Sequence, residues 1–120
     1  MPLSAAKTFA QKWIDDWNSH HLHNILEHYA EDLEFHSPKV AIYSEGKKTH
    51  FTTRQELRPY FARALTNRPN LCFELIHVAQ DANGIAIVYK NDVNAIGVEI
   101  MNLDPQGRVI KARVLYGDFE

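Results

Sequence analysis

Cysteine is nearly absent from this chain: among 120 residues only Cys72 carries a thiol, so no disulfide can form within it. Cys72 lies in the apolar run Leu71-Cys72-Phe73. No motif around it marks a reactive thiol, and a small buried side chain is expected there. No segment approaches the ~20 apolar residues that cross a membrane as a helix. The N-terminus has no basic head followed by a long apolar stretch, so no secretory leader is expected and the cytoplasm is the default location. An excess of charge of one sign is also missing. Thirteen basic residues against 15 acidic ones give a net charge of −2, and Lys47-Lys48 is the only basic doublet. Such a chain offers no electrostatic footprint to nucleic acid or to an anionic membrane, and neither is expected as a partner. Repeats, low-complexity runs and linkers are lacking too, so residues 1–120 read as one domain.

What is present is ordinary for a globule: 45% hydrophobic and 23% charged residues. A domain of this length buries roughly two-thirds of its unfolded surface, enough for a core without staples. The first third reads as helical. Ser4 is placed to cap a helix. Phe9, Trp13 and Trp17 then recur every fourth residue with Ala6, Ala10 and Ile14 beside them, one apolar stripe that ends near Asn18 to His20. A shorter helix follows, with Leu22, Ile25, Leu26 and Tyr29 on its inner face. Leu33 to Ser37 alternates as a strand does, and Pro38 stops it or marks an edge. Lys39 to Thr53 shows no clear period; an irregular excursion is expected, with room for a short strand at Val40 to Tyr43.

Thr53, with Glu56 three residues on, has the form of a capping box for a third helix. That helix carries Leu57, Tyr60, Phe61, Ala64 and Leu65 inward, tolerates Pro59 early, and ends at Asn67-Arg68-Pro69. The last half is strand-like over Leu71 to Ala79, Ile85 to Lys90, Ala95 to Leu103 and Val109 to Tyr116, with turn signals between. Three helices preceding or interrupting a meander of about four strands give an α+β domain with helices on one face of an antiparallel sheet.

This order of elements, with Tyr29-Ala30-Glu31-Asp32 leading to a strand that ends at Ser37-Pro38, resembles the nuclear transport factor 2-like superfamily. So does Glu99-Ile100-Met101-Asn102-Leu103-Asp104, followed by Gly107-Arg108-Val109 and Tyr116. Within it the chain looks like the SnoaL-like and ketosteroid isomerase-like proteins. The resemblance covers nearly the whole chain. It implies a cystatin-like α+β roll: a curved antiparallel or mixed sheet wrapped as a cone around the long N-terminal helix. The open end of such a cone is a pocket for a small apolar molecule, and homodimers form through the outer face of the sheet. The isomerase pattern places its catalytic base at Ser37, its tyrosine at Trp13 and its protonated carboxylic acid at Glu99. Serine lacks basicity and indole lacks a phenol's acidity. Only Glu99 keeps its chemistry, so the isomerase mechanism as such does not carry over.

Glu99 is therefore the candidate catalytic residue. Alternation puts Gly97, Glu99 and Met101 on one sheet face; if that face is the inside of the cone, Glu99 is a carboxyl in an apolar cavity. Exposure on the other face, or pairing with Arg113, is the competing arrangement. Phe9, Trp13, Trp17, Tyr29, Phe35, Ser37, Phe61, Tyr89, Met101 and Tyr116 are the candidate pocket residues. Seven histidines invite a metal, but no Cys accompanies His20, His21 and His23, no HExxH occurs, and no metal site is expected. His36 should point away from Ser37, while His50 and His77 stay open as bases. No cofactor is implied. Two functions remain: an enzyme doing acid–base chemistry on a small apolar carbonyl compound (isomerase, cyclase or dehydratase), or a non-catalytic ligand-binding or dimerisation module.

Overall fold

The computed structural model describes residues 2–117. Its elements are α1 (Leu3–Ser19), α2 (Leu22–Leu26), β1 (Tyr29–His36), α3 (Pro38–Tyr43), β2 (His50–Thr53), α4 (Arg54–Asn67), β3 (Glu74–Gln80), β4 (Gly84–Lys90), β5 (Ile96–Leu103) and β6 (Val109–Gly117). The six strands form one mixed sheet in the order β2-β1-β6-β5-β4-β3. β1 runs parallel to β6 and every other pairing is antiparallel. The expected meander is β3 to β6. The architecture is an α+β fold with a long N-terminal helix and a six-stranded mixed sheet. None of its helices is long and apolar enough to cross a membrane.

One face of the sheet is buried. Ile85, Ile87 and Tyr89 of β4, Gly97, Glu99 and Met101 of β5, and Val109, Ala112 and Val114 of β6 point inward. Trp13 of α1 lies against Tyr89, and Phe61 of α4 lies against Tyr29 and Phe35 of β1. Each fully buried aliphatic or aromatic side chain stabilises by about 1.5–3 kcal/mol, and Trp13, Ile25, Leu57 and Ile87 are all buried in this way. The other face is apolar in part and open: Ile100 and Leu115 are exposed there.

A part-buried polar pair ties the helices to the sheet. Asp16 of α1 accepts from His28 Nε2 at 2.7 Å and from Lys12 Nζ at 3.1 Å. The backbone carbonyl of His28 in turn accepts from Val109 N–H at 2.8 Å. Burial pulls the His28 pKa below the ordinary histidine value, against the pull of Asp16 upward.

Several local expectations change. Ser4 does not cap α1; the first helical bond closes from Ala6 N–H onto the carbonyl of Pro2, which is the N-cap, so Ser4 already lies inside the first turn. Tyr29 opens β1 instead of ending α2. The stretch from Val40 to Tyr43 is helix, not strand. Ser37 Oγ accepts from Lys39 N–H at 3.3 Å and Pro38 takes the first helical position, which together start α3. β3 begins at Glu74 rather than Leu71. The Asn18 side chain takes both backbone groups of Phe73, its amide donating at 2.9 Å and its oxygen accepting at 2.7 Å, and so holds that segment outside the ladder. Cys72 is exposed rather than buried, because Leu71 is buried and Phe73 packs on Trp13 and Trp17, which turns the residue between them outward. The capping box at α4 is shifted by one residue. Thr53 Oγ1 accepts from Glu56 N–H at 3.2 Å, but the Glu56 carboxylate reaches the N–H of Thr52, at 3.0 Å.

Candidate functional site

Between α1, α4 and the inner face of β1 and β4 to β6 lies a cavity of about 340 Å³, within the range of small-molecule sites. Among its lining residues is a buried carboxyl, Glu99, 4% exposed. Glu99 stands opposite Ile87 on one neighbouring strand and Val114 on the other, both buried, so the register points its carboxyl inward. Arg113 lies opposite Ile100 on the outer face and makes no pair with Glu99.

The position of the carboxyl depends on a glycine. Gly97 pairs with Tyr89, and the Tyr89 ring lies over it so closely that a Cβ there would come within 2.3 Å of the ring carbon Cζ. Only a residue without a side chain lets the ring cross and deliver its hydroxyl to Glu99, where Tyr89 O–H donates to Oε2 at 2.9 Å. Burial pushes the Glu99 pKa up to about 7; the bond from Tyr89 and the charge of Lys39 work in the opposite direction.

Three further phenols face this carboxyl. Tyr29 accepts from Trp13 Nε1 at 3.2 Å, and its own O–H has no acceptor among the described residues. Tyr60 donates to Ser37 Oγ at 3.5 Å, and Tyr116 stands at the rim. Burial raises the pKa of all four tyrosines above the ordinary phenol value, and the Glu99 charge adds to it, so at neutral pH they are neutral hydrogen-bond donors. Trp13, Trp17, Phe35, Phe61 and Phe73 form the apolar part of the wall. Trp17 Nε1 is buried with no hydrogen-bond partner among the described residues.

Of the residues singled out in the sequence, Trp13, Trp17, Tyr29, Phe35, Phe61, Tyr89, Glu99 and Tyr116 line this one cavity. Phe9, Ser37 and Met101 do not. Phe9 lies one turn before Trp13 and packs edge-on against His28 at 5.4 Å. Met101, two residues beyond Glu99, is sealed in the core at 1% exposure. The hydroxyl of Ser37 is taken up as the cap of α3 and by Tyr60, behind the wall. Sequence reasoning missed Lys39, Tyr60, Asn67, Arg68, Phe73 and Asn91 as lining residues. Tyr60 was legible as an inward position of α4; Lys39 was not, because α3 itself was not foreseen. No histidine lines the cavity. His36 stacks on His50 with ring centroids 4.8 Å apart, and His77 is exposed on β3. Among the described residues no group of three or more His, Cys, Asp or Glu is arranged to hold a metal.

Comparison with known proteins decides the family. The SnoaL-like domain model matches residues 10–115. The chain belongs to the SnoaL-like family. A SnoaL-like protein of unknown function from Burkholderia thailandensis is 30% identical and superposes with a TM-score of 0.91 over 98% of this chain and 99% of that one. The epoxide hydrolase/cyclase-like enzyme SalBIII, described with a role in pyran ring formation in the polyether salinomycin, shares the fold at 19% identity. Its TM-score is 0.74, over 95% of this chain and 92% of the other. An NTF2-like protein of unknown function from Cytophaga hutchinsonii shares it at 11% identity and a TM-score of 0.66, over 93% of this chain and 89% of the other. No curated protein matches the chain in sequence. In this SnoaL-like protein the indole of Trp13 orients the phenol of Tyr29.

The raised pKa of Glu99 makes stability depend on pH. Folded Glu99 binds its proton more tightly than the unfolded chain does. Stability is therefore greatest below the ordinary glutamate pKa of 4.5 and falls as pH rises from there through about 7. The full loss above that window is about 3 kcal/mol at 1.36 kcal/mol per pKa unit. Glu99→Gln removes this dependence. In urea unfolding the variant is expected to equal the wild type near pH 4.5 and to exceed it at pH 8; an unchanged difference across that range would contradict a desolvated carboxyl.

Proposed function

We propose that this SnoaL-like protein binds a small, largely apolar carbonyl compound and performs cofactor-independent acid–base chemistry on it: an isomerisation, a cyclisation or a dehydration. The observation that carries this reading is Glu99, a carboxyl enclosed in an apolar cavity with a pKa near 7. At neutral pH both of its forms are populated, which is the condition for efficient proton exchange in both directions. The carboxylate takes a proton from the carbon beside the carbonyl and returns it elsewhere. The Tyr29 O–H, held by Trp13 and left without a protein acceptor, is the donor for the carbonyl oxygen as charge develops there. Tyr89 holds the carboxyl in place.

A second reading, a ligand-binding module without catalysis, draws on Ser37 and Trp13, which stand where the resembled isomerases keep their base and their tyrosine. One assay separates the two. In D2O, 2-tetralone exchanges its α-protons slowly with solvent, and NMR follows the exchange. The enzyme reading expects exchange above the buffer rate, rising with pH through about 7 and falling by roughly 10²-fold or more in Glu99→Gln. Binding of 2-tetralone with no added exchange would favour the module.

The same proposal includes a cytoplasmic homodimer paired through the outer sheet face, where Ile100 and Leu115 stand exposed. Light scattering that returned a monomer would contradict that part.

A further inference from the structure

The mouth of the cavity carries chemistry that proton exchange at Glu99 does not use. Lys39, the second residue of α3, lines it, with Nζ 4.2 Å from the centroid of the Tyr116 ring. Lys39 forms no ion pair among the described residues. Arg68, at the C-cap of α4, lines the same cavity and is bonded to Asp92 at 2.6 Å. Asn67 and Asn91 stand beside them. The Asn91 oxygen is already taken by the N–H groups of Val93 and Ala95, which leaves its amide to donate.

The groups at the mouth are thus cations and donors. The one carboxyl facing the cavity, Glu99, lies deep within it and is half neutral at pH 7. Burial lowers the Lys39 pKa first, and the like charge of Arg68 lowers it further. Lys39 is exposed to solvent and its ammonium has no carboxylate partner among the described residues, while Asp92 takes only part of the Arg68 fork, so both side chains can still meet an anion at the mouth. Guanidinium and ammonium together suit a carboxylate, which accepts several charge-assisted hydrogen bonds at once.

We infer that the mouth is a carboxylate subsite and that the ligand is an amphipathic keto acid. Its carboxylate meets Lys39 and Arg68, its apolar body lies against Trp13, Trp17, Phe61 and Phe73, and its carbonyl reaches Tyr29 and Glu99. This rests on the reading of the cavity as a small-molecule site and adds the class of molecule that fills it.

The test compares two probes of one shape, 6-acetyl-2-naphthoate and its neutral isostere 6-acetyl-2-naphthamide, by calorimetry on the full chain at pH 6, below the Glu99 pKa of about 7. The acid is expected to bind at least about tenfold more tightly than the amide, the scale of one charge-assisted hydrogen bond. That ratio should shrink with added salt and fall in Lys39→Met, which keeps the aliphatic stem and removes one of the two charges. Equal binding of acid and amide by the wild type, or a ratio undiminished in Lys39→Met, overturns the carboxylate subsite while amide binding leaves the apolar pocket standing. Binding of neither probe overturns both. Should Lys39→Met fail to fold, Lys39→Gln and the salt dependence of the wild-type ratio decide in the same terms.

Discussion

The carboxyl of Glu99, held out of water by the hydroxyl of Tyr89, is the constraint around which the interior is arranged. A buried carboxyl survives only if the surroundings satisfy it or keep it neutral. This fold does some of each. Tyr89 supplies one strong hydrogen bond, the apolar walls favour the protonated form, and Lys39 offers distant charge compensation. That geometry needs a bare backbone at Gly97 for the Tyr89 ring to cross. It also needs β4 and β5 in their observed register, because a slip of one residue would turn Glu99 to the outer face.

The helices enclose this group instead of filling the space above it. Trp13 and Trp17 of α1 lean on Phe73 and Tyr89, while α4 brings Phe61 and Tyr60 over β1. Large planar side chains meeting edge to face and at tilted angles brace one another and leave an interior partly hollow. The Asn18 clasp on Phe73 and the Asp16–His28 pair fix where α1 sits, so the two tryptophans are placed by bonds remote from the cavity. Cavity shape is thus set by the joints of the fold as much as by the wall itself.

The long-period features were legible in the sequence. The Phe9, Trp13, Trp17 stripe, the strand alternation around Glu99 and the Thr53 cap all follow from patterns that one element imposes on itself. What escaped was set by contacts between elements. Leu71 to Phe73 has the composition of a strand, yet Asn18, distant in sequence, occupies its backbone groups. Ser37-Pro38 has the pattern of a strand end but also starts a helix, and it is that helix that brings Lys39 to the cavity. Phe9 and Met101 share the face of Trp13 and Glu99 but lie beyond the end of the cavity; periodicity gives a direction for a side chain, not a depth.

The central claim is that enclosure raises the pKa of Glu99 to about 7, so that acid and carboxylate are both populated at neutral pH. The direct measurement is an NMR titration of its side-chain carboxyl in the wild type, with Glu99→Gln to assign the signal. The account predicts a midpoint near 7. A midpoint close to the ordinary glutamate value of 4.5 would place the group in water or in an ion pair, and the proposed chemistry would lose its acid.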